Sequence, residues 1–574
     1  MESAVFIFTA LTSFGVFLFR AQTKYFFSLF LHTLLIVTAS SWAFRSLSTG
    51  GQMQFNLLEL TGFDILADID SLSAFFLAVI SLTLLIGLLY ANGYLKLYRK
   101  AQSDIRLSLH HLALLWLHMS LILVSTLRDG AAFLTAWEIM TVSAFALVVF
   151  EAERKEILKT GFKYLLQMQI GSLLILGAFL LASANGSAFG FDSLNTYFSH
   201  HEPLPLFLLF FAGFGIYAGF VPLHTWLPPT HLTAPSHVSG IMSSILLQMG
   251  LYGILRVLTA VQTDLLTIAL AVLAVSLLTA FTGLRYTFSQ HDGKKLLAYS
   301  SITHTGIVGL GIGIGLVGLA FHAPALAALG FTGGMLHILN HALAKSLLFY
   351  TIGSIYRATH TRNLEQLGGL LKTMPKTSVF FLTGLLALCG IPPLNNFISE
   401  ALLYIGLIKG FSANNLLLNG LIGTLLLSIT VIIGYALFGF SKVFETAFLG
   451  TARSETAAQA HEVSDDMILP KALAGLGLLI VGLSPAFSLK IASQVTALFV
   501  ADLRPIAEAT PALVYTGIAG VILTALTILL LWLRNRRQFL ASMDYHQSDS
   551  FGKPLAEHPL TAHRKTKMAT LANR

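Results

Sequence analysis

Charge is what this sequence has least of. Lys and Arg number 35 and Asp and Glu 27, so charged residues make up 11% of 574, against about 25% in a soluble domain. That excludes the water-facing exterior that a soluble chain of this length requires. Cysteine is nearly missing too, with Cys389 alone inside an apolar run. One thiol excludes a disulfide framework, a thiolate zinc site and a Cys-ligated iron–sulfur cluster built by this chain alone. No bound metal or redox cofactor is therefore expected in it, and any redox chemistry belongs to partners. What is abundant is apolar: 55% of residues are hydrophobic, 43 of them Phe, and the mean hydropathy is +0.76. The lipid bilayer is the solvent such a chain needs.

A helix crosses the roughly 30 Å hydrocarbon layer in about 20 residues, and apolar runs of that length recur along nearly the whole chain. Their centres lie near residues 11, 35, 83, 117, 139, 173, 213, 247, 273, 307, 340, 390, 427, 480 and 523. This pattern predicts an all-α polytopic membrane protein of 14 to 15 transmembrane helices. Lys and Arg are retained on the cytoplasmic side during insertion. Twenty of them fall in connections after odd-numbered spans, including Lys96, Arg99, Lys100, Arg357 and Lys471; eight more follow from Arg534 onward, six lie on the other side, and Lys345 is inside a span. The asymmetry places the N-terminus outside and the C-terminus in the cytoplasm, as for a multi-pass protein of the inner membrane. The first run carries Glu2 and no basic stretch, so it reads as a mature helix and not a cleaved signal. Residues 186–204 and 451–469 read as polar connections, and 541–574 as a polar cytoplasmic tail without apolar periodicity.

Ionisable groups inside spans are costly and require a partner, water or a function. Glu138, Lys345 and Glu400 are such groups. Any one could be an interhelical ion pair, but with in-span histidines beside them they point to a polar path. His337, His341 and Lys345 are spaced by four and form one helical stripe, and His304 lies in the tenth span; imidazole can both accept and donate a proton near neutrality. Zinc at His337 and His341 is the rival reading, disfavoured because no HExxH and no nearby carboxylate ligand accompany them. His110 and His111 fall near a span end and read as interfacial. Pro222 and Pro228-Pro229 interrupt the seventh span, and Gly390, Pro392 and Pro393 the twelfth. Irregular backbone at membrane depth is tolerated only where protein buries it or water reaches it. Breaks five spans apart suggest two inverted repeats with a broken helix in each. The expected division is residues 1–105 for helices 1–3, 106–260 for the first repeat (helices 4–8), 261–445 for the second (helices 9–13), 446–540 for the C-terminal helices and 541–574 for the tail.

In order and spacing, AWEIMTVSAF, PLHTWLPPTHLTAPSHVSG, DGKKLLAYSSITHTG, LHILNHALAKSLLFYTIGSI and GIPPLNNFISE resemble the proton-conducting antiporter-like membrane subunits. That family includes membrane subunits of respiratory complex I, of Mrp antiporters and of group 4 nickel–iron hydrogenases. The resemblance covers roughly residues 65 to 450. Its wording, with the tail DYHQSDSFGKPL, is most like the branch of hydrogenase-4 component B and formate hydrogenlyase subunit 3. It implies proton transfer along charged residues at mid-membrane depth, coupled to a cytoplasmic-side redox module holding nickel–iron and iron–sulfur centres, with other membrane subunits as partners and no nucleic acid. By position it assigns Glu138, His304, His337, His341, Lys345 and Glu400 to the proton path. His224, His231, His237, Pro222 and Pro393 fall in the broken-helix motifs, and Lys294 and Lys295 are candidates for cytoplasmic input or for positive-inside anchoring.

Two positions depart from the family pattern. A seventh-span lysine is replaced by Tyr217 and an eighth-span lysine by Gln248, so Glu138 loses its usual cationic partner while the second half keeps Lys345 and Glu400. The leading expectation is a proton-translocating subunit, itself non-catalytic, of a group 4 hydrogenase, formate hydrogenlyase or complex I-like assembly. The alternatives are a non-pumping scaffold, and a cation/proton antiporter or inorganic-carbon uptake subunit.

Overall fold

The computed structural model describes residues 2–548 except 61–62, 97, 99–101, 152–153 and 185–187. Arg99, Lys100 and the segment beyond Ser548 thus lie outside the described residues. The chain forms two compact units, Met1–Ile518 and Ala519–Arg574.

The first unit opens with α1 (Glu2–Ser13), continued by one 3-10 turn, and α2 (Ala21–Thr49). An antiparallel hairpin follows, β1 (Met53–Leu60) with β2 (Phe63–Ile69). It is the one addition to the all-helical expectation. Then come α3 (Ser71–Leu95), α4 (Asp104–Thr126), α5 (Gly130–Val148) and α6 (Lys155–Ser183). Side chains fix several of these starts by accepting orphan backbone hydrogens: Asp70 takes that of Ser73 (2.9 Å) and Asp129 that of Ala132 (2.8 Å). Within the expected polar connection, α7 (Ser193–His200) forms a short helix.

The seventh span is broken into α8 (Pro203–Ala218) and α9 (Leu227–Thr233). Gly219 ends α8 with φ of +77°, a conformation that glycine adopts without steric cost. The opened backbone is satisfied by protein: Trp226 Nε1 donates to the Ile216 carbonyl (2.8 Å), and Val221 N–H donates to Thr279 Oγ1 (3.1 Å). The eighth span is continuous but wound in three pieces, α10 (Ser236–Ile241), a π turn at Met242–Leu246, and α11 (Leu247–Leu258). Next are α12 (Leu265–Thr287), α13 (Gly293–Ala320) and the 36-residue α14 (Pro324–Thr359). After the short α15 (Leu370–Thr373), the twelfth span is broken into α16 (Pro375–Leu388) and α17 (Asn396–Lys409). The chain continues through α18 (Leu416–Phe448), the short α19 (Glu455–Ala458), α20 (Asp465–Leu483), α21 (Pro485–Thr496) and α22 (Arg504–Ser548).

Twelve of these helices are long and apolar enough to cross a bilayer, and Ala4–Phe17, Pro203–Ala218 and Pro375–Leu388 are shorter apolar helices. Each of the fifteen expected centres falls on one of them or, for residue 390, at the break beside one. Three details differ from expectation. The region from residue 541 begins as helix, since α22 runs through Ser548. Lys471, counted with a connection, is buried inside α20. His110 and His111, read as interfacial, are buried in α4; a polar side chain near a span end need not face the headgroups when other helices cover it.

The span of α10 and α11, α13 and α14 are buried nearly all round, whereas α2, α12 and α18 leave one face to lipid. Small residues let the central helices close up, as is usual in membranes: a methyl at Gly306 of α13 would lie 2.6 Å from the Ala280 nitrogen and 2.7 Å from the Ser276 carbonyl of α12. At the hairpin, Asp70 binds Arg256 Nη1 (2.5 Å) and Nη2 (2.8 Å) and Arg128 Nη2 (3.0 Å). This cluster pins the ends of α3, α4 and α11 together. In the second unit the helix is apolar and exposed, with Leu523, Leu530 and Trp532 facing outward.

Candidate functional site

The interior polar groups gather where α13, α14 and α17 meet. On α14, His337, His341 and Lys345 form the expected stripe, and all three are buried. His337 bridges two helices: its Nε2 lies 3.0 Å from His304 Nδ1 on α13, and its Nδ1 lies 2.9 Å from Ser399 Oγ on α17. Asn340 Nδ2 donates to Ser399 Oγ and to the Asn395 carbonyl, both at 3.1 Å, while Asn395 Nδ2 returns a bond to the Asn340 carbonyl (3.1 Å). The break before α17 is thus held against α14 by a reciprocal amide pair. Lys345 Nζ donates to the Ser300 hydroxyl and to the Leu297 carbonyl (3.2 Å) of α13. It has no ion pair among the described residues.

Glu400 on α17 is buried, and its Oε1 has no hydrogen-bond partner among the described residues. It lines a cavity of about 10 Å³ together with Ser300, Thr303 and His304, roughly the volume one water occupies. Ser300 therefore touches both Lys345 and the cavity that Glu400 faces. Gly390, at the break, has φ of +63°, and a methyl there would run into the Glu400 carboxylate. That position requires glycine for the turn and for the room it leaves.

The motif around the seventh span divides. His231 is stacked on Phe349 at 5.0 Å, with both ring nitrogens unpartnered among the described residues. His237 Nε2 is 2.8 Å from His110 Nε2, and His224 sits half-buried in the turn after Pro222. Pro222 and Pro393 lie in the two irregular segments. The basic pair also divides: Lys294 is buried and donates to the Ala234 carbonyl (2.6 Å), whereas Lys295 stays half-exposed.

Glu138 stands apart from the α13–α14–α17 group. It accepts a 2.6 Å bond from Gln169 Nε2 and opens on a largely apolar side cavity of about 700 Å³ that Arg106 and His110 also line. Tyr217 does not hydrogen-bond it. The Tyr217 hydroxyl is 3.0 Å from the Met168 carbonyl, 2.8 Å from Ser172 Oγ and 3.1 Å from Thr141 Oγ1. Gln248, the other substituted position, donates from Nε2 to His341 Nδ1 (2.8 Å). At the π turn beside it, Ser243 Oγ meets Ser301 Oγ at 2.8 Å.

Two features escaped the sequence reading. His32 of α2 pairs with His118 of α4, Nδ1 to Nδ1 at 3.0 Å. Lys471 is fully buried and bound to Ser354 Oγ (3.0 Å) and Thr377 Oγ1 (2.9 Å). His111 and His118, seven apart on one helix face, were a signal for the first. Lys471 gave none, being close to a span end where lysines usually snorkel.

Residues 128–427, which contain Glu138, Lys345 and Glu400, match the family described as NADH:quinone oxidoreductase/Mrp antiporter, TM. The chain belongs to that family. Hydrogenase-4 component B of Escherichia coli (strain K12) is 35% identical over 430 residues, covering 74% of this chain and 63% of the relative. Formate hydrogenlyase subunit 3 of the same organism is 38% identical over 264 residues, 45% of this chain and 43% of the relative. The matched regions thus span less than two thirds of either relative. Among solved structures, a chain of the Mrp complex from Dietzia sp. DQ12-45-1b superposes with a TM-score of 0.72 at 19% identity, covering 89% of this chain and 99% of that one. The last likeness shows the antiporter-family fold.

Proposed function

We propose that this chain is a proton-translocating membrane subunit of a group 4 hydrogenase, formate hydrogenlyase or complex I-like assembly. The likeness to hydrogenase-4 component B and formate hydrogenlyase subunit 3 supports the hydrogenase branch. Nickel–iron and iron–sulfur centres then belong to partner subunits on the cytoplasmic side, and this chain supplies the membrane path. In this reading the N-terminus is outside, the C-terminus is cytoplasmic, and the two broken helices belong to inverted repeats at helices 4–8 and 9–13.

One observation carries the reading: Lys345 and His304 reach a water-sized cavity through Ser300, with Glu400 on its other side and His337 behind. An amine, two imidazoles and a carboxyl within one buried group are the side chains that exchange protons in membrane relays. Glu400→Gln keeps the volume and removes the exchangeable acid; Lys345→Met removes the amine. Each is expected to lower proton flux about tenfold or more, the scale of losing a general acid–base group, in liposomes holding the complex purified through this chain. Wild-type flux in both variants, with partners still bound, would refute the reading.

A second reading, that the first half serves as a scaffold, draws on Tyr217. Its hydroxyl is fully engaged with α5 and α6, so it braces helices where family members carry a lysine.

A further inference from the structure

Lys471 is a buried lysine with no part in the group described above. Its ammonium reaches Ser354 Oγ on α14 and Thr377 Oγ1 on α16 and lies 5.8 Å from the Phe380 ring centre. No carboxylate touches it directly. The nearest acid is one hydroxyl away: Thr377 Oγ1 donates to Glu462 Oε1 at 2.5 Å, and the Thr377 backbone N–H donates to Glu462 Oε2 at 3.0 Å. Glu462 is partly exposed, in the segment just before α20. Beside it the exposed Lys376 and Asp465 pair at 3.7 Å, so the rim is already neutralised. A continuous line of hydrogen bonds therefore runs from a surface carboxylate, through a hydroxyl, to an interior amine and on to Ser354.

Beyond Ser354 the line points along α14 toward Lys345. Tyr90 of α3 faces Ser354, with Arg357 also within electrostatic reach. Tyr90 stacks on Tyr350 at 4.5 Å, and Tyr350 faces Ser346 one turn back, next to Lys345. The hydroxyls of Tyr90, Tyr350 and Ser346 are buried and have no hydrogen-bond partner among the described residues. Buried hydroxyls are normally bonded to protein or to ordered water, so these three are the groups that a short water line would join.

We propose that Glu462, Thr377 and Lys471 form a proton inlet to the Lys345 group, a branch that rests on the proton-translocating reading above. The transfer balances. A proton on the Glu462 carboxyl moves to Thr377 Oγ1 as the O–H bond of Thr377 breaks and its hydrogen forms an N–H bond on the neutral Lys471 amine. The result is a carboxylate at Glu462, an intact threonine hydroxyl pointing back at it, and an ammonium donating to that hydroxyl. This is the arrangement observed, with Thr377 as donor to Glu462 and Lys471 as donor to Thr377. A buried lysine serves such a step because its amine can give the proton up, which an arginine cannot do.

The alternative is structural: Glu462 caps the start of α16 and Lys471 is a fixed cation tying α14, α16 and α20. The two roles separate on Lys471→Arg and Glu462→Gln. Arginine keeps charge and donors, and glutamine still accepts the Thr377 amide hydrogen, so a structural role survives both changes. The complex purified through a tag on this chain, reconstituted in liposomes with a trapped pH dye and driven by a potassium–valinomycin potential, is expected to lose proton flux about tenfold or more in either variant. Subunit composition and unfolding temperature should match wild type. Wild-type flux in Lys471→Arg would overturn the proposal. Should that variant fail to assemble, wild-type flux in Glu462→Gln would do so. Glu400→Gln serves as the control: its retention of full flux counts against the translocating reading itself, whereas its loss of flux with both inlet variants active counts against the inlet alone.

Discussion

Asp70 shows how one carboxylate can be both cap and anchor. It sits just before α3, accepts the Ser73 amide hydrogen and binds two guanidinium groups. Burial alone would push its carboxyl up, but Arg256 and Arg128 hold it well below the usual carboxylate range. The sign follows from linkage: a carboxyl depressed in the folded state contributes stability above its unfolded pKa and loses it as pH falls through the folded value. The cluster's contribution is therefore expected to be complete above about pH 4 and to fall below it. Asp70→Asn should remove that acid-side dependence and cost about 3 to 5 kcal/mol, because Arg256 is left buried without its charge partner. Thermal unfolding in detergent across pH checks both effects. Glu400 and Lys345 were legible as sites because a charge in an apolar run has a cost that must be met. His32, His118 and His110 were not, since each finds its partner on a helix distant in sequence, and no local pattern records such a pairing.

At the scale of helices, lipid made the chain readable. The bilayer imposes a length of about 20 residues, and every expected run is realised as a helix or as a broken one. The prolines and Gly390 marked where spans would break, because proline removes a backbone donor and clashes with the preceding turn. They could not say what would satisfy the opened backbone. Trp226, Thr279 and the Asn340–Asn395 pair do so from distant positions. The hairpin was missed because its strands are short and lie in what read as a connection. The π turn was missed because it adds no residue type that an α-helix lacks. Small residues are the other helical signal, and Gly306 tests it. Leucine there would drive side-chain atoms into the α12 backbone at Ser276 and Ala280. Overpacking of this kind costs about 1 to 3 kcal/mol, so a lowered unfolding temperature is expected for Gly306→Leu. The same substitution at Gly423, which has nothing within 4 Å, should leave it unchanged.

Across the whole molecule the two halves are unequal. The second half joins Lys345, Ser300, His304, His337 and Ser399 by direct contacts around the cavity that Glu400 lines. The first half has Glu138 held by Gln169 alone and a tyrosine braced elsewhere. If protons follow the contacts, Glu138→Gln should leave flux within about twofold of wild type while Glu400→Gln lowers it about tenfold. A first half that conducts by another route would instead make Glu138→Gln as costly. The cause of the asymmetry can be tested separately. Tyr217→Lys would put an ammonium among the acceptors that now hold the phenol, in electrostatic reach of Glu138, and Gln248→Lys would set another against His341. With both lysines present, Glu138 gains the cationic neighbour that the family pattern supplies. In that background Glu138→Gln should become costly, by about tenfold in flux. The same small effect of Glu138→Gln in both backgrounds, in complexes of unchanged composition, would mean that the missing lysines are not what silences the first half.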